Sequence, residues 1–391
     1  MQRIATGARP DLEDKAREAG FTFHHMHGEP YWDEETVYAF DLDEVEGMIE
    51  DPATELHAMC RAAVDHVLRS EDLMDRLAIP KEARAMIAAS WEAGEPELYG
   101  RFDLAHDGEG PAKLLEYNAD TPTALYESAA FQWQWLEDMV AAGRLPEGSD
   151  QFNGLHEALV ARLTEIFAPD TDLHFACFPD DPEDYATTEY MAWVAREAGL
   201  GAHFVPIPEI GLTDTGQFAD GEGRVIGAMF KLYPWEDMLR DDFAEALPNA
   251  RCHFLEPPWK AILSNKGILP VLWRLNEGHP NLLPAFFEEE ADSAAARAVL
   301  AAGRVRKPLF SREGASIDIT TPEHREASAD RGYDGHPAIV QAYHPLPVFE
   351  GRRPVVGAWI VGEACVAMGL REDEGLITRD LSRFKPHFIR A

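Results

Sequence analysis

The chain has 391 residues, 46% of them hydrophobic, enough for one large domain or two to three ordinary ones and too apolar for global disorder. Thirty-five basic against seventy acidic residues give a formal charge of -35, which repels nucleic-acid backbones and anionic membranes. The acids are spread along the chain, so solubility accounts for them, with attraction for a polycation as the second reading.

Residues 11 to 90 read as mainly helical. Glu55 to Leu68 carries Leu56, Met59, Ala63 and Val67 at helical spacing. Ahead of it, His24-His25-Met26-His27 looks ligand-like, but its spacing matches no helical ligand pair, and no metal is expected there.

Tyr99 to Leu104 and Leu114 to Thr121 alternate apolar and polar residues around a Gly/Pro-rich linker, and predict a β-hairpin. Residues two apart share a face of a strand, so Arg101 projects with Asp103, and Glu116 with Asn118. Three oxygen-bearing side chains and one guanidinium suit a hard divalent cation holding a phosphate chain. A solvated polar face is the alternative. Thr121-Pro122 then predicts the start of a helix bearing Trp133, Trp135, Leu136 and Met139.

After a Pro/Gly break at Leu145 to Gly148, segments alternate: helix Gly154 to Phe167, strand Leu173 to Phe178, helix Ala186 to Ala198, strand Ala202 to Ile207. This predicts a small α/β unit with a parallel sheet at about 150–265. Helical Ala291 to Ala302 follows. Then Arg304 to Leu309, Ala338 to Tyr343, Val355 to Gly362 and Ala364 to Leu370 predict an antiparallel sheet.

Only eight lysines occur, and Lys266 and Lys307 lie in ordered apolar stretches, where a lysine can serve a phosphate as a point charge. Ser311 to Ser316, with Gly314 inside it, can wrap phosphate or move as a lid. Gln341-Ala342-Tyr343-His344 ends a strand at a proline-locked turn and could read an adenine edge. Arg371 could bridge phosphates, and Leu376-Ile377-Thr378 could wall a nucleotide. Each motif alone also fits an ordinary surface or strand end.

No apolar run approaches the roughly 20 residues of a membrane helix, Met1 to Thr6 lacks the apolar core of a signal peptide, and the four cysteines are scattered. A soluble, cytoplasmic protein in a reducing compartment is expected. No hydrolase motif is present.

Taken in order, Tyr99 to Leu104, Leu115 to Thr123, Phe230 to Glu236, Pro257 to Pro270, Lys307 to Ser316 and Tyr343 to Pro347 closely resemble the glutathionylspermidine synthase family, nearly end to end. The resemblance implies an α+β, ATP-grasp-type ligase over residues 1–391. It implies an inserted Rossmann-like substrate unit at about 150–265 and ATP-grasp elements at about 1–149 and 266–391. It implies ATP and Mg²⁺, an acyl phosphate, and an amide made from a peptide-like acid and an amine. Arg101 matches the arginine that stabilises the transferring phosphoryl group. Asp103, Glu116 and Asn118 match the metal ligands. Phe102, Lys266, Lys307, Gly314, Gln341 to His344, Arg371 and Leu376 to Thr378 fall at nucleotide positions, and Thr121, Thr123, Glu183 and Asp184 at substrate positions.

The departures are Thr121 and Thr123 where the bifunctional synthetase has serines, Glu183-Asp184 where it has two glutamates, and Glu313 in place of a cysteine. These make the chain more like the stand-alone acid–amine ligase branch and predict poor use of glutathione and spermidine. The other readings are a nucleotide-binding regulatory protein or ATPase that has lost ligation, and a polyamine binder.

Overall fold

The computed structural model describes residues 1–26, 28–379 and 382–391. His27, the last residue of the histidine run, lies outside the described residues. Two five-stranded antiparallel sheets carry most of the architecture. The first runs in the order Arg383–Lys385, Ala364–Asp373, Arg353–Val361, Tyr99–Ala105, Lys113–Asn118. The second runs Ala285–Phe287, Ala338–Ala342, Arg304–Pro308, Asp318–Thr320, Arg325–Ala327. The expected hairpin and the expected C-terminal antiparallel strands are therefore present, but those strands are divided between two sheets. Arg304–Pro308 pairs with Ala338–Ala342, whereas Arg353–Val361 pairs with the hairpin.

The expected parallel sheet is also present, in the order His253–Leu255, Ala228–Lys231, Asp172–Cys177, Gly201–Pro206, with every pair parallel. Helices Leu155–Ile166 and Pro182–Glu197 flank its strands in sequence. A buried ion pair joins this sheet to the hairpin: Lys231 Nζ donates to Asp120 Oδ1 at 2.6 Å, and the Trp235 amide donates to Asp120 Oδ2 at 2.8 Å.

Two local expectations need correction. Residues 11 to 90 are helical at Leu12–Glu18, Asp51–Leu68, Glu71–Arg76 and most of Arg84–Glu92, but they also contribute strand Thr36–Phe40, and strand Gln2–Ala5 lies just ahead of them. Thr36–Phe40 pairs antiparallel with Gln2–Ala5 and parallel with His387–Ile389, bringing the two ends of the chain into one sheet. Four of its five residues are buried, so the strand shows no alternation. Thr121-Pro122 does not start a helix: residues 121–124 are irregular, Ala124 turns left-handed at φ +64°, and the helix begins at Leu125. Arg312 Nη2 donates to Thr121 Oγ1 at 2.6 Å and Arg101 Nη1 to the Thr123 carbonyl at 2.5 Å, spending on tertiary partners the groups a helix cap would use.

Helix Asp51–Leu68 begins with Pro52 in its first turn and buries Leu56, Cys60, Ala63, Val64 and Val67 along one stripe. It lies against strands Arg353–Val361 and Ala364–Asp373. Three cysteines are buried, Cys252 is half-buried, and all four are free thiols. Among the described residues no helix is long and apolar enough to cross a membrane.

Candidate active site

A cavity of about 280 Å³ opens between the two antiparallel sheets. The hairpin register builds its floor. Arg101 stands opposite Asn118, and Asp103 opposite Glu116, so four polar side chains emerge from the same face of two neighbouring strands. The other face is apolar: Phe102 is fully buried and stacks on Tyr117 with ring centroids 4.0 Å apart. Phe102 is the one expected site residue whose side chain does not line the cavity. Period-two alternation turns it into the core.

Arg101 is held in place on three sides. Its Nε donates to Asp103 Oδ1 at 2.7 Å, its Nη1 to the Thr123 carbonyl, and its guanidinium lies 5.5 Å from the Trp359 ring centroid. Across the ladder Gly357 faces Asp103, and a Cβ there would sit 2.8 Å from Arg101 Cδ, so the glycine makes room for the arginine. Arg371 Nη2 donates to the other Asp103 oxygen at 2.8 Å.

The second sheet supplies the opposing wall. Lys307 Nζ donates to Gln341 Oε1 and to the Leu115 carbonyl, each at 2.8 Å. Burial, together with nearby Lys266, pushes the Lys307 ammonium down to about 8 against the pull of Glu116 and Asp103. Lys266 Nζ lies 3.3 Å from Glu116 Oε2 and donates to the Ser311 carbonyl. Burial alone would raise the Glu116 carboxyl, but Lys266, Lys307, Arg371 and Arg101 hold it well below its ordinary range. Gln341, Ala342, Tyr343, His344, Leu376, Ile377 and Thr378 all line the same cavity. Apolar Val305, Ile317, Ile319 and Val355 line it too.

Gly314 lies at φ +68°, and a Cβ there would come 2.5 Å from the Thr378 carbonyl and 2.8 Å from the Ile377 side chain. The loop can lie this close to Ile377 and Thr378 only with glycine at that position.

The remaining end of the cavity is acidic. Asp181 caps helix Pro182–Glu197, accepting from the Glu183 and Asp184 amides, with Pro182 in the first turn. Acids are favoured in that turn by the helix dipole, and here they also face the cavity. Burial raises the Glu183 carboxyl, and burial with Asp181 and Glu183 nearby lifts Asp184 to about 7. Behind them Glu127 is fully buried, accepts from the Tyr31 hydroxyl at 2.6 Å, and keeps Oε2 without a partner. Burial and Glu183 push it upward. Thr121, Thr123, Glu183 and Asp184 therefore line the cavity as expected. Sequence reading missed Glu236 and Arg312, which also line it. Both lay inside motifs already singled out, but only the fold turns them inward.

Asp103, Glu116 and Asn118 fit an Mg²⁺ ion by donor chemistry: two carboxylates and an amide carbonyl, all hard oxygens. Lys266, Lys307, Arg371 and Arg101 hold Glu116 ionised, and the buried Asn118 Nδ2 has no protein partner, so that N–H donor is open to an acceptor oxygen while the amide carbonyl would face the metal.

The chain matches the glutathionylspermidine synthase preATP-grasp family over residues 3–390. A Haemophilus influenzae protein, provisionally named an acid–amine ligase, is 36% identical over 408 aligned positions covering the whole of both chains. The trypanothione synthetase of Crithidia fasciculata is 28% identical over 83% of this chain and 52% of its own length. The bifunctional glutathionylspermidine synthetase/amidase of Escherichia coli is 28% identical over 86% of this chain and 56% of its own. The chain thus spans about half the length of these two. A glutathione synthetase-like effector from Globodera pallida shares the fold, with TM-score 0.56 at 10% identity and 98% of each chain covered. The chain belongs to the glutathionylspermidine synthase family and is an ATP-dependent carbon–nitrogen ligase of the acid–amine type.

Proposed function

We propose that the cavity binds MgATP and activates the carboxylate of a small peptide-like acid, which an amine then captures as an amide. The convergence of Arg101, Lys266, Lys307 and Arg371 on Asp103 and Glu116 carries this reading. In the first step a substrate carboxylate oxygen attacks the γ-phosphorus of ATP, and ADP leaves. In the second the amine nitrogen attacks the acyl carbon, phosphate leaves, and the nitrogen gives up a proton.

Arg101 is assigned to the migrating phosphoryl group, where charge is greatest in the transition state. Lys266 and Lys307 neutralise the phosphate chain as point charges, and Arg371 bridges it to Asp103. Asp103, Glu116 and Asn118 would hold Mg²⁺, which screens the negative charge of the phosphates when bound. Gln341 to His344 and Leu376 to Thr378 are assigned to the base and sugar. The loop around Gly314 excludes water from the acyl phosphate.

The parallel-sheet segment, about 150–265, is read as an inserted Rossmann-like unit that supplies the substrate end, with 1–149 and 266–391 as the ATP-grasp elements. Glu183, Asp184 and the chain's negative charge favour an amine-bearing or cationic substrate. Thr121 and Thr123 read the acid. Free cysteines and the need for ATP fit a cytoplasmic reaction.

The test is a phosphate-release screen across short peptides and amines, with mass detection of the coupled product. A product containing both partners supports ligation. ATP hydrolysis that no acid–amine pair stimulates, with no product, would instead favour the nucleotide-binding or ATPase reading.

A further inference from the structure

Helix Leu12–Glu18 meets the short ladder His25–Met26 with Glu29–Pro30 through Glu13. There one ligand atom from each of Glu13, His24 and His25 lies within 4.8 Å of the other two, the only such three-residue group of His, Cys, Asp or Glu among the described residues. Two imidazoles and a carboxylate form a donor set suited to borderline divalent ions.

The distances suit an ion between them. His24 Nε2 lies 2.9 Å from Glu13 Oε2, and His25 Nδ1 lies 3.9 Å from Glu13 Oε1. Ligands on a tetrahedral zinc with ordinary bond lengths stand about 3.4 Å apart, between those two values.

The His24 ring is also oriented as a ligand. Its Nδ1 lies 2.8 Å from the Phe21 carbonyl, which can only accept, so the hydrogen sits on Nδ1 and Nε2 faces the carboxylate. The His24 backbone is pinned in turn, its carbonyl accepting from the Tyr31 amide at 2.9 Å and the Trp32 amide at 3.0 Å. Phe21, Phe23, Tyr31 and Trp32 around it are all buried in one core. Glu13 comes from a helix and the histidines from a strand and its lead-in, so spacing along a single helix does not test this group.

We propose that Glu13, His24 and His25 bind one divalent transition-metal ion of the zinc class, with water completing the shell. The ion ties the first helix to the turn that carries Tyr31, whose hydroxyl reaches Glu127 behind the acidic end of the cavity. The site is separate from Asp103, Glu116 and Asn118 and needs no nucleotide.

The experiment uses untagged, chelator-stripped full chain. Zinc is titrated in competition with a chromophoric chelator, Co²⁺ is followed by its visible d–d absorption, and the thermal midpoint is read with and without zinc. One equivalent should bind and raise the midpoint. Binding should persist in Glu116→Gln and weaken by more than about 10-fold in His24→Ala and in His25→Ala. His25 and Glu13 are exposed, so His25→Ala and Glu13→Gln should fold normally. No saturable binding would overturn the proposal and leave an ordinary histidine–carboxylate contact. Unchanged affinity in His25→Ala and Glu13→Gln, or loss of binding in Glu116→Gln, would overturn it equally.

Discussion

Arg371 Nη2 sits 2.8 Å from Asp103 Oδ2 while Arg101 Nε sits 2.7 Å from Asp103 Oδ1, so one carboxylate is shared by two guanidiniums from different strands. Asp103 thereby orients both arginines. Arg101 is buried and Arg371 half-buried, so both are fixed in place, the preorganisation that the proposed phosphoryl-transfer role requires.

Arg101→Ala should lower kcat on the order of 100-fold or more while raising the KM for ATP far less. Gly357→Ala should reproduce part of that loss without touching any polar group, because its Cβ would meet Arg101 Cδ at 2.8 Å. Steady-state kinetics of the two variants check this. An effect of Arg101→Ala confined to KM would reassign the residue to ground-state binding.

Glu116→Gln should abolish Mg²⁺-dependent turnover and leave the far-ultraviolet circular dichroism unchanged. The carboxylate lies among four cations and faces Asp103 across the ladder. Wild-type activity in this variant would remove Glu116 from the metal assignment.

Lys307→Ala should weaken ATP binding by at least about 10-fold, the loss of one desolvated cation–phosphate contact. The free ammonium loses its proton near 8, and bound phosphate favours the charged form, so ATP affinity should fall as pH rises above 8. Calorimetry in two buffers of different ionisation enthalpy should show proton uptake on binding at pH 8.5. No uptake in wild type, or equal uptake in Lys307→Ala, would contradict the assignment.

Asp184→Asn should raise the thermal midpoint at pH 8 and leave it unchanged at pH 4. The folded carboxyl keeps its proton up to about 7, whereas the unfolded one loses it near its ordinary value, so stability falls as pH rises between the two. The same variant should weaken amine use. Equal midpoints at pH 8 would show that burial there is milder than the geometry implies.

Glutathione with spermidine should be a poor substrate pair, because the resemblance to the bifunctional synthetase implies departures at Thr121, Thr123, Asp184 and Glu313. All four line the cavity. Buried polar groups left without partners are what reject a near-fit substrate. Formation of glutathionylspermidine at roughly one per second or more would count against this.

The amino-acid sequence by itself determined the local geometry of the floor. Alternation along Tyr99–Ala105 and Lys113–Asn118 is a property of neighbouring residues, so the shared face of Arg101, Asp103, Glu116 and Asn118 could be read without a fold. The inward turn of Phe102 follows from the same period. Strand Thr36–Phe40 was hidden because burial on both faces erases alternation. Only the tertiary structure decided which distant segments meet. Arg371 reaches Asp103 across 268 residues, Lys266 meets Glu116, and Glu13 meets two histidines from another segment. Those meetings depend on which strands pair and how the sheets face each other. That is settled by the sum of many burial terms over the whole chain, and no local pattern carries it.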